Sequence, residues 1–445
     1  MTRKWMVIGA GLIWIALGTG SGAGNLWAAP QAAQDQSKPA YTLPEYNAYK
    51  AADAEQNAQQ KVKLLDDFVK TYPNSSLMPY VYRDYYTTYM ALKNYAQVME
   101  YADRMIALGD KIDTTGKLEA YYTRAQAFYL GMSDKSLQTP DALTKARDAA
   151  IAGLKTLDDL KKPDNVAQEQ FDQQKKGVKV LFNAVAALSS TTMKDYAAAA
   201  GYYKTLLSID PNDAVSHYRL GIVDLQMAPP QGTDGFWELA RAIDLKIPND
   251  AQVKAYLKNQ IIRYQQPACD KLVDDQVNEL LTLAMTATEK PATLNVPSMA
   301  DLQKARDDTA NFIPALKAGG DAGKVMWLAS CGLEYPDVGV RVMDAPVVDG
   351  DTVTLKVFRG ATPEEIEAAT DANMEVKIEG QPEAKRLEKD AVVRFTGTLE
   401  GYTQNPFLLT WDKAKINPED LPEDKGPAKK GPVKKAPAKK APAGN

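Results

Sequence analysis

Histidine is nearly absent: the 445-residue chain holds one, His217, and cysteine occurs twice, as Cys269 and Cys331. A structural zinc site needs four Cys or His ligands, with cysteines at close spacing, so these counts exclude it. No Gly-rich phosphate loop, nucleophile-elbow serine or zinc-helix histidine pair is present. One histidine with no identified nucleophile or acid beside it is not a catalytic site, and packing between helices is its simpler role. Acid pairs such as Asp66-Asp67 and Asp274-Asp275 are adjacent in sequence. Neighbours on a helix point about 100° apart, so they read as solvated faces. These absences point to a protein that is not an enzyme and uses no cofactor and no metal.

Long apolar runs are also scarce. After the first thirty residues none is long enough to span a bilayer. The one apolar run, residues 5–17, follows Arg3 and Lys4 and ends at Gly and Ser, with Leu26-Trp27-Ala28-Ala29 beyond it. This is the layout of an export signal over residues 1–29, and an uncleaved membrane anchor is its alternative. Export predicts a periplasmic or extracellular protein. Two cysteines there either pair or remain free thiols, and a bridge between them ties the helical region to the β-rich region after it. Acidic residues are missing from the C-terminus. From Lys425 onward there are seven lysines and no acid, so residues 1–424 carry a formal charge of −11 where the whole chain carries −4. An acidic body with a basic tail argues against specific nucleic-acid binding.

What is plentiful is helical periodicity. Residues 30–41 form a polar linker, and 42–265 alternate helix and turn. Tyr196, Ala199, Ala200, Tyr203, Leu206 and Leu207 make one apolar face at helical spacing. Asp210-Pro211-Asn212-Asp213 then stops the helix, and a new one is predicted from Ala214. Tyr72-Pro73-Asn74-Ser75 and Ile247-Pro248-Asn249-Asp250 repeat the stop signal. Between Pro73 and Pro211 fit three enlarged helix pairs or four standard ones, and the polar insertion before Pro140 favours three. Residues 249–265 read as a capping helix, and helical patterning continues through a connector, 266–320.

The segment KDYAAAAGYYKTLLSIDPNDAVSHYRLG, residues 194–221, resembles the tetratricopeptide repeat. Tyr196, Ala199, Tyr203, Leu206 and Pro211 match that repeat's aromatic, small and Pro positions, and Leu220-Gly221 matches the Leu-Gly of its first helix. Residues 93–108 and 62–76 are similar. The resemblance implies an α-solenoid of helix pairs whose first helices line a concave groove. It places Tyr80 and Asp84 in the groove in one repeat, and Tyr218 and Ile222 in another, with Arg83 and Arg219 beside them. Tyr and Arg are common interface anchors, so these six residues are the candidate partner-binding set, for a protein or peptide.

The pattern changes at Gly319, Gly320 and Gly323, which read as a hinge. Alternation over 338–343, 352–358, 374–378, 392–398 and 407–411 predicts five short strands in residues 321–416, a small antiparallel barrel of OB-like type. Thr362-Pro363-Glu364-Glu365 starts a helix within it. Asp344, Asp349 and Asp351 cluster in one loop region, where Asp349-Gly350-Asp351 reads as a turn. Residues 392–416 also resemble the end of a β domain found behind tetratricopeptide arrays in exported bacterial proteins. The tail, 417–445, repeats Lys-Lys-Gly/Ala-Pro and is read as disordered. Its Lys429, Lys430, Lys434, Lys435, Lys439 and Lys440 are candidates for weak contact with an anionic envelope surface. The function expected is a non-catalytic interaction scaffold of the bacterial cell envelope, and the alternative is an envelope tether acting through the tail.

Overall fold

The computed structural model describes residues 40–266 and 271–422. The export signal, most of the linker, Cys269 and the lysine tail lie outside the described residues. The chain divides into two compact units: Met1–Asn259 with Val277–Leu294, and Gln260–Gln276 with Asn295–Asn445. It is mainly helical, with a six-stranded mixed sheet towards the C-terminus. Among the described residues no helix is long and apolar enough to cross a membrane.

In the first unit the helices follow one another as α1 (Leu43–Ala54), α2 (Ala58–Thr71), α3 (Met78–Ala91), α4 (Tyr95–Ile106), α5 (Thr114–Gly131), α6 (Pro140–Asp158), α7 (Gln168–Thr192), α8 (Tyr196–Ile209), α9 (Ala214–Gln226) and α10 (Gly232–Asp244). Then come α11 (Asp250–Gln265) and α12 (Lys271–Thr286). From α1 to α10 each helix packs against the next, and α5 also meets α7. Three helix pairs thus lie between Pro73 and Pro211. The polar stretch before Pro140 is a single 3-10 turn, Lys135–Gln138.

Local sequence sets the helix ends. Asn94 and Asp195 are N-caps whose side chains accept from the Gln97 and Ala198 amides. The residue before each, Lys93 or Lys194, takes a left-handed φ of 54° or 63°. The Asn94 and Asp195 amides then donate back to the Tyr89 and Ser190 carbonyls, closing the preceding helix as a Schellman-type turn does. One sequence, Lys-Asn/Asp-Tyr, therefore makes the same turn twice. Between the helices Leu65, Phe68, Tyr85, Tyr86, Phe128 and Phe182 belong to one buried core, while Ala199, Tyr203, Leu206 and Leu220 belong to another.

Two crossings are closer than side chains allow. A Cβ on Gly153 of α6 would lie 2.5 Å from the Phe182 ring of α7. A Cβ on Gly221 of α9 would lie 2.9 Å from the Gly235 carbonyl oxygen of α10. Glycine lets these backbones approach, as small residues do wherever helices pack tightly.

The second unit holds α13 (Met299–Asp307), α14 (Phe312–Ala318), α15 (Gly320–Ser330), β1 (Glu334–Val342), β2 (Val347–Asp349), β3 (Thr352–Phe358), α16 (Pro363–Ala368), β4 (Met374–Glu379), β5 (Val392–Gln404) and β6 (Phe407–Ile416). The strand order is β1-β5-β6-β4-β3-β2, and β1 also pairs with β3 through Arg341↔Phe358 and Val342↔Val357. The expected all-antiparallel arrangement is corrected here: β4 and β6 run parallel, with Met374 opposite Leu409 and Val376 opposite Trp411. The reason is topological. β5 leaves β4 to pair with β1, and the β5–β6 hairpin turns β6 back beside β4 in the same direction.

The helices before the first strand pack on the sheet. Ala315, Leu316 and Met326, from α14 and α15, share one core with Val340, Leu355, Val376, Phe395 and Trp411 of the sheet. These helices thus share the hydrophobic core of the strands, within the unit that holds Asn295–Asn445. The glycines read as a hinge make the turn between α14 and α15, with Gly319 and Gly320 at φ 69° and 59°. The strand β2 lies at the edge of the sheet, and its Val347 and Val348 are exposed.

Candidate functional site

The clearest outward-facing aromatic surface of the first unit is on α1 and α3. Thr42 and Glu45 form a reciprocal capping box at the start of α1, with a Pro in its first turn, which fixes where the helix begins. Tyr41 stacks on Tyr46 with ring centres 5.6 Å apart. Tyr49, one turn on, lies 6.2 Å from Tyr80 of α3. Leu43, Tyr46 and Tyr80 are exposed, at 71%, 39% and 50% of their surface. Single exposed apolar residues are ordinary, but neighbouring ones on adjoining helices mark contact surfaces.

Polar bonds brace this surface from behind. The Asp84 carboxylate lies 3.6 Å from the Lys61 ammonium of α2. Burial raises its proton affinity above the usual carboxylate range, and Lys61 opposes the rise. The Tyr49 hydroxyl is pushed up by burial and by Asp84. Arg83 donates from Nε to Glu119 Oε1 of α5 at 2.8 Å, and its second nitrogen reaches Oε2. The Tyr86 hydroxyl donates to the same carboxylate at 2.6 Å. Burial disfavours the Arg83 charge, and the Glu119 bonds more than compensate, so its affinity for the proton rises. Bidentate arginine–carboxylate pairs fix geometry as well as charge. Arg83 is thus a strut between α3 and α5, and Asp84 a strut to α2; of the three α3 candidates, Tyr80 alone faces outward.

On α9 the picture is similar. Tyr218, Arg219 and Ile222 are half-buried. The Arg219 guanidinium sits beside the hydroxyls of Tyr129 (α5) and Tyr203 (α8); burial pushes both hydroxyls up, and Arg219 opposes this. His217 is buried, with Nε2 3.0 Å from the Pro211 carbonyl and Nδ1 2.5 Å from Glu238 Oε2 of α10. Both ring nitrogens are occupied by structural partners, which leaves neither for a substrate.

The residues missed in the sequence are Tyr41 just before α1, Leu43, Tyr46 and Tyr49 on it, and the bracing Glu119. A signal for the first four existed, because apolar residues recur through 41–49 at near-helical spacing. None existed for Glu119, which meets its partner across 36 residues. In the second unit, Asp349 lies opposite Thr352 across a two-residue turn with Gly350 at φ 59°, which accounts for Asp349 and Asp351 as hairpin residues. Cys331, buried at the end of α15, is held in a disulfide. The chain's other cysteine, Cys269, is outside the described residues.

Searched against known proteins, the chain matches no family model and no curated protein.

Proposed function

We propose that the protein is a non-catalytic interaction scaffold of the cell envelope, whose first unit is an α-solenoid of tetratricopeptide type that holds a protein or peptide partner. The observation that carries this reading is the exposed aromatic surface of Leu43, Tyr46 and Tyr80 on α1 and α3, with Tyr41 and Tyr49 against it. Aromatic anchors on a surface already rigid in the free protein bind at low ordering cost. The braces Arg83–Glu119–Tyr86 and Lys61–Asp84 supply that rigidity. Successive packing from α1 to α10, the repeated Lys-Asn/Asp-Tyr turn and the Gly221 crossing support the solenoid. In the second unit, the β1–β3 pairing brings the first strand of the order against the fifth. This supports a five-stranded closed barrel of OB type with β2 as an added flap.

A peptide library selected against the full chain tests the proposal. Wild type should enrich a peptide class, and Tyr46→Ala/Tyr80→Ala should lose it with unchanged far-UV circular dichroism. Retention of binding by that variant refutes the surface. The second reading, a tether acting through the seven lysines after residue 424, predicts that removing 425–445 releases the protein from anionic vesicles at low salt.

A further inference from the structure

The interface between α9 and α10 holds two buried ionisable residues, His217 and Asp224, with Asp234 and Glu238 on the facing helix. His217, Gly221 and Asp224 recur along one face of α9, and Asp234, Gly235 and Glu238 along one face of α10. The two glycines meet so closely that neither backbone can yield inward. On one side of this crossing lie His217 and Glu238. A carbonyl oxygen only accepts, so His217 Nε2 carries a hydrogen for Pro211. The other ring nitrogen, Nδ1, lies 2.5 Å from Glu238 Oε2, so the imidazole bridges the turn before α9 and the face of α10. On the other side lies Asp224, 2% exposed. Its backbone carbonyl accepts from the Met227 and Gln231 amides, Gln231 being the residue just before α10.

We propose that the α9–α10 interface is a proton-operated joint: with the buried Asp224 carboxyl protonated the helices stay seated, and as the pH rises the loss of that proton unseats α10. The groups facing Asp224 are Lys204 from α8, Asp234 and Glu238 from α10, and Lys290. Lys290 is already paired with Asp234, and Lys204 is exposed. An ionised Asp224 therefore adds a third carboxylate beside Glu238 and the part-exposed Asp234.

The direction follows from linkage. Burial, reinforced by Asp234 and Glu238 against the two lysines, pushes the Asp224 carboxyl up to about 7. An exposed aspartate loses its proton at roughly pH 4. Between those values the seated form holds one proton more than the open form, so each pH unit favours opening by about tenfold. Below this window the seated joint is fully favoured, and above it the Asp224 contribution is spent. Arg241 of α10 donates to the Ala284 carbonyl at 2.6 Å and Asp234 holds Lys290, so the 284–290 segment is released with α10.

Amide hydrogen exchange on the full chain, expressed as protection factors between pH 5 and 8.5, tests this, with the β3 and β4 amides as internal reference. Protection in α9 and α10 should fall by about tenfold or more from pH 5 to 7, relative to the reference. Asp224→Asn should flatten that fall and leave α10 better protected than wild type at pH 8. Asp234→Asn removes a facing charge and should move the wild-type profile to lower pH, which gives a second test should the first variant fold poorly. A wild-type profile independent of pH, or an unmoved profile in both variants, overturns the proposal.

Discussion

The same substitution should change stability in opposite directions at different helical glycines. Replacing Gly221 by Ala removes backbone freedom from the unfolded chain and restores helix propensity, a gain of about 1 kcal/mol. Against this, the new methyl would lie 2.9 Å from both the Gly235 carbonyl oxygen and Leu239 Cγ. Ordinary contact requires the two helices to part by roughly half an ångström, and overpacking of this kind costs about 1–3 kcal/mol. The obstacle is partly backbone, so it cannot rotate away, and parting also stretches the 2.5 Å contact of His217 with Glu238. The expected net effect is a loss of about 1 kcal/mol or more, since the steric cost outweighs the propensity gain. Gly177 in α7 and Gly201 in α8 are the controls: a Cβ on either meets nothing within 4 Å. Ala at these two sites should stabilise by about 0.5–1 kcal/mol. Urea denaturation followed by far-UV circular dichroism measures all three. If Gly221→Ala stabilises as much as Gly177→Ala and Gly201→Ala, the close approach of α9 and α10 is wrong.

Three further outcomes are expected. Glu119→Gln removes the charge that Arg83 and the Tyr86 hydroxyl share; with Arg83 partly exposed, the loss should be about 1–3 kcal/mol in the same urea assay. Asn373, buried ahead of β4, accepts from the Arg359 amide at 3.0 Å and donates to the Arg359 carbonyl at 2.8 Å. Asn373→Ala leaves both groups unpaired and should cost about 1–3 kcal/mol, read as a lower melting temperature for the second unit. Non-reducing peptide mapping should recover Cys331 linked to Cys269. Reduction should then lower the stability of the chain by about 4 kcal/mol, the loop-entropy value for some 60 enclosed residues, whereas recovery of Cys331 as a free thiol would contradict its bonded state.

Legibility in the sequence followed locality. The turns at Pro73, Pro211 and Pro248 were readable because Pro, Asn and Asp act on their own backbone. Gly221 was readable as part of a Leu-Gly pair, and the β3 alternation of Thr352 to Val357 announced its two faces. The α16 start at Thr362 was equally plain, since the cap bond to Glu365 spans three residues. What stayed hidden was set by distant partners. Arg83 and Arg219 look like free interface anchors in a linear reading, yet Glu119 engages the first and the Tyr129–Tyr203 pair flanks the second. Nothing near Met374 or Leu409 tells that their strands run parallel. Nor does the helical pattern of 312–330 reveal that it buries Leu316 and Met326 beneath a sheet.

The edge strand β2 has a consequence for how copies of this protein coexist. An open strand bearing Val347 and Val348 invites another sheet to add itself alongside. Here the invitation is short, three residues, and Asp344, Asp349 and Asp351 flank or end it. Two such edges brought face to face would gain few backbone bonds while crowding like charges. The hairpin thus carries its own protection against self-association, built from acids that the linear sequence gathers around one turn.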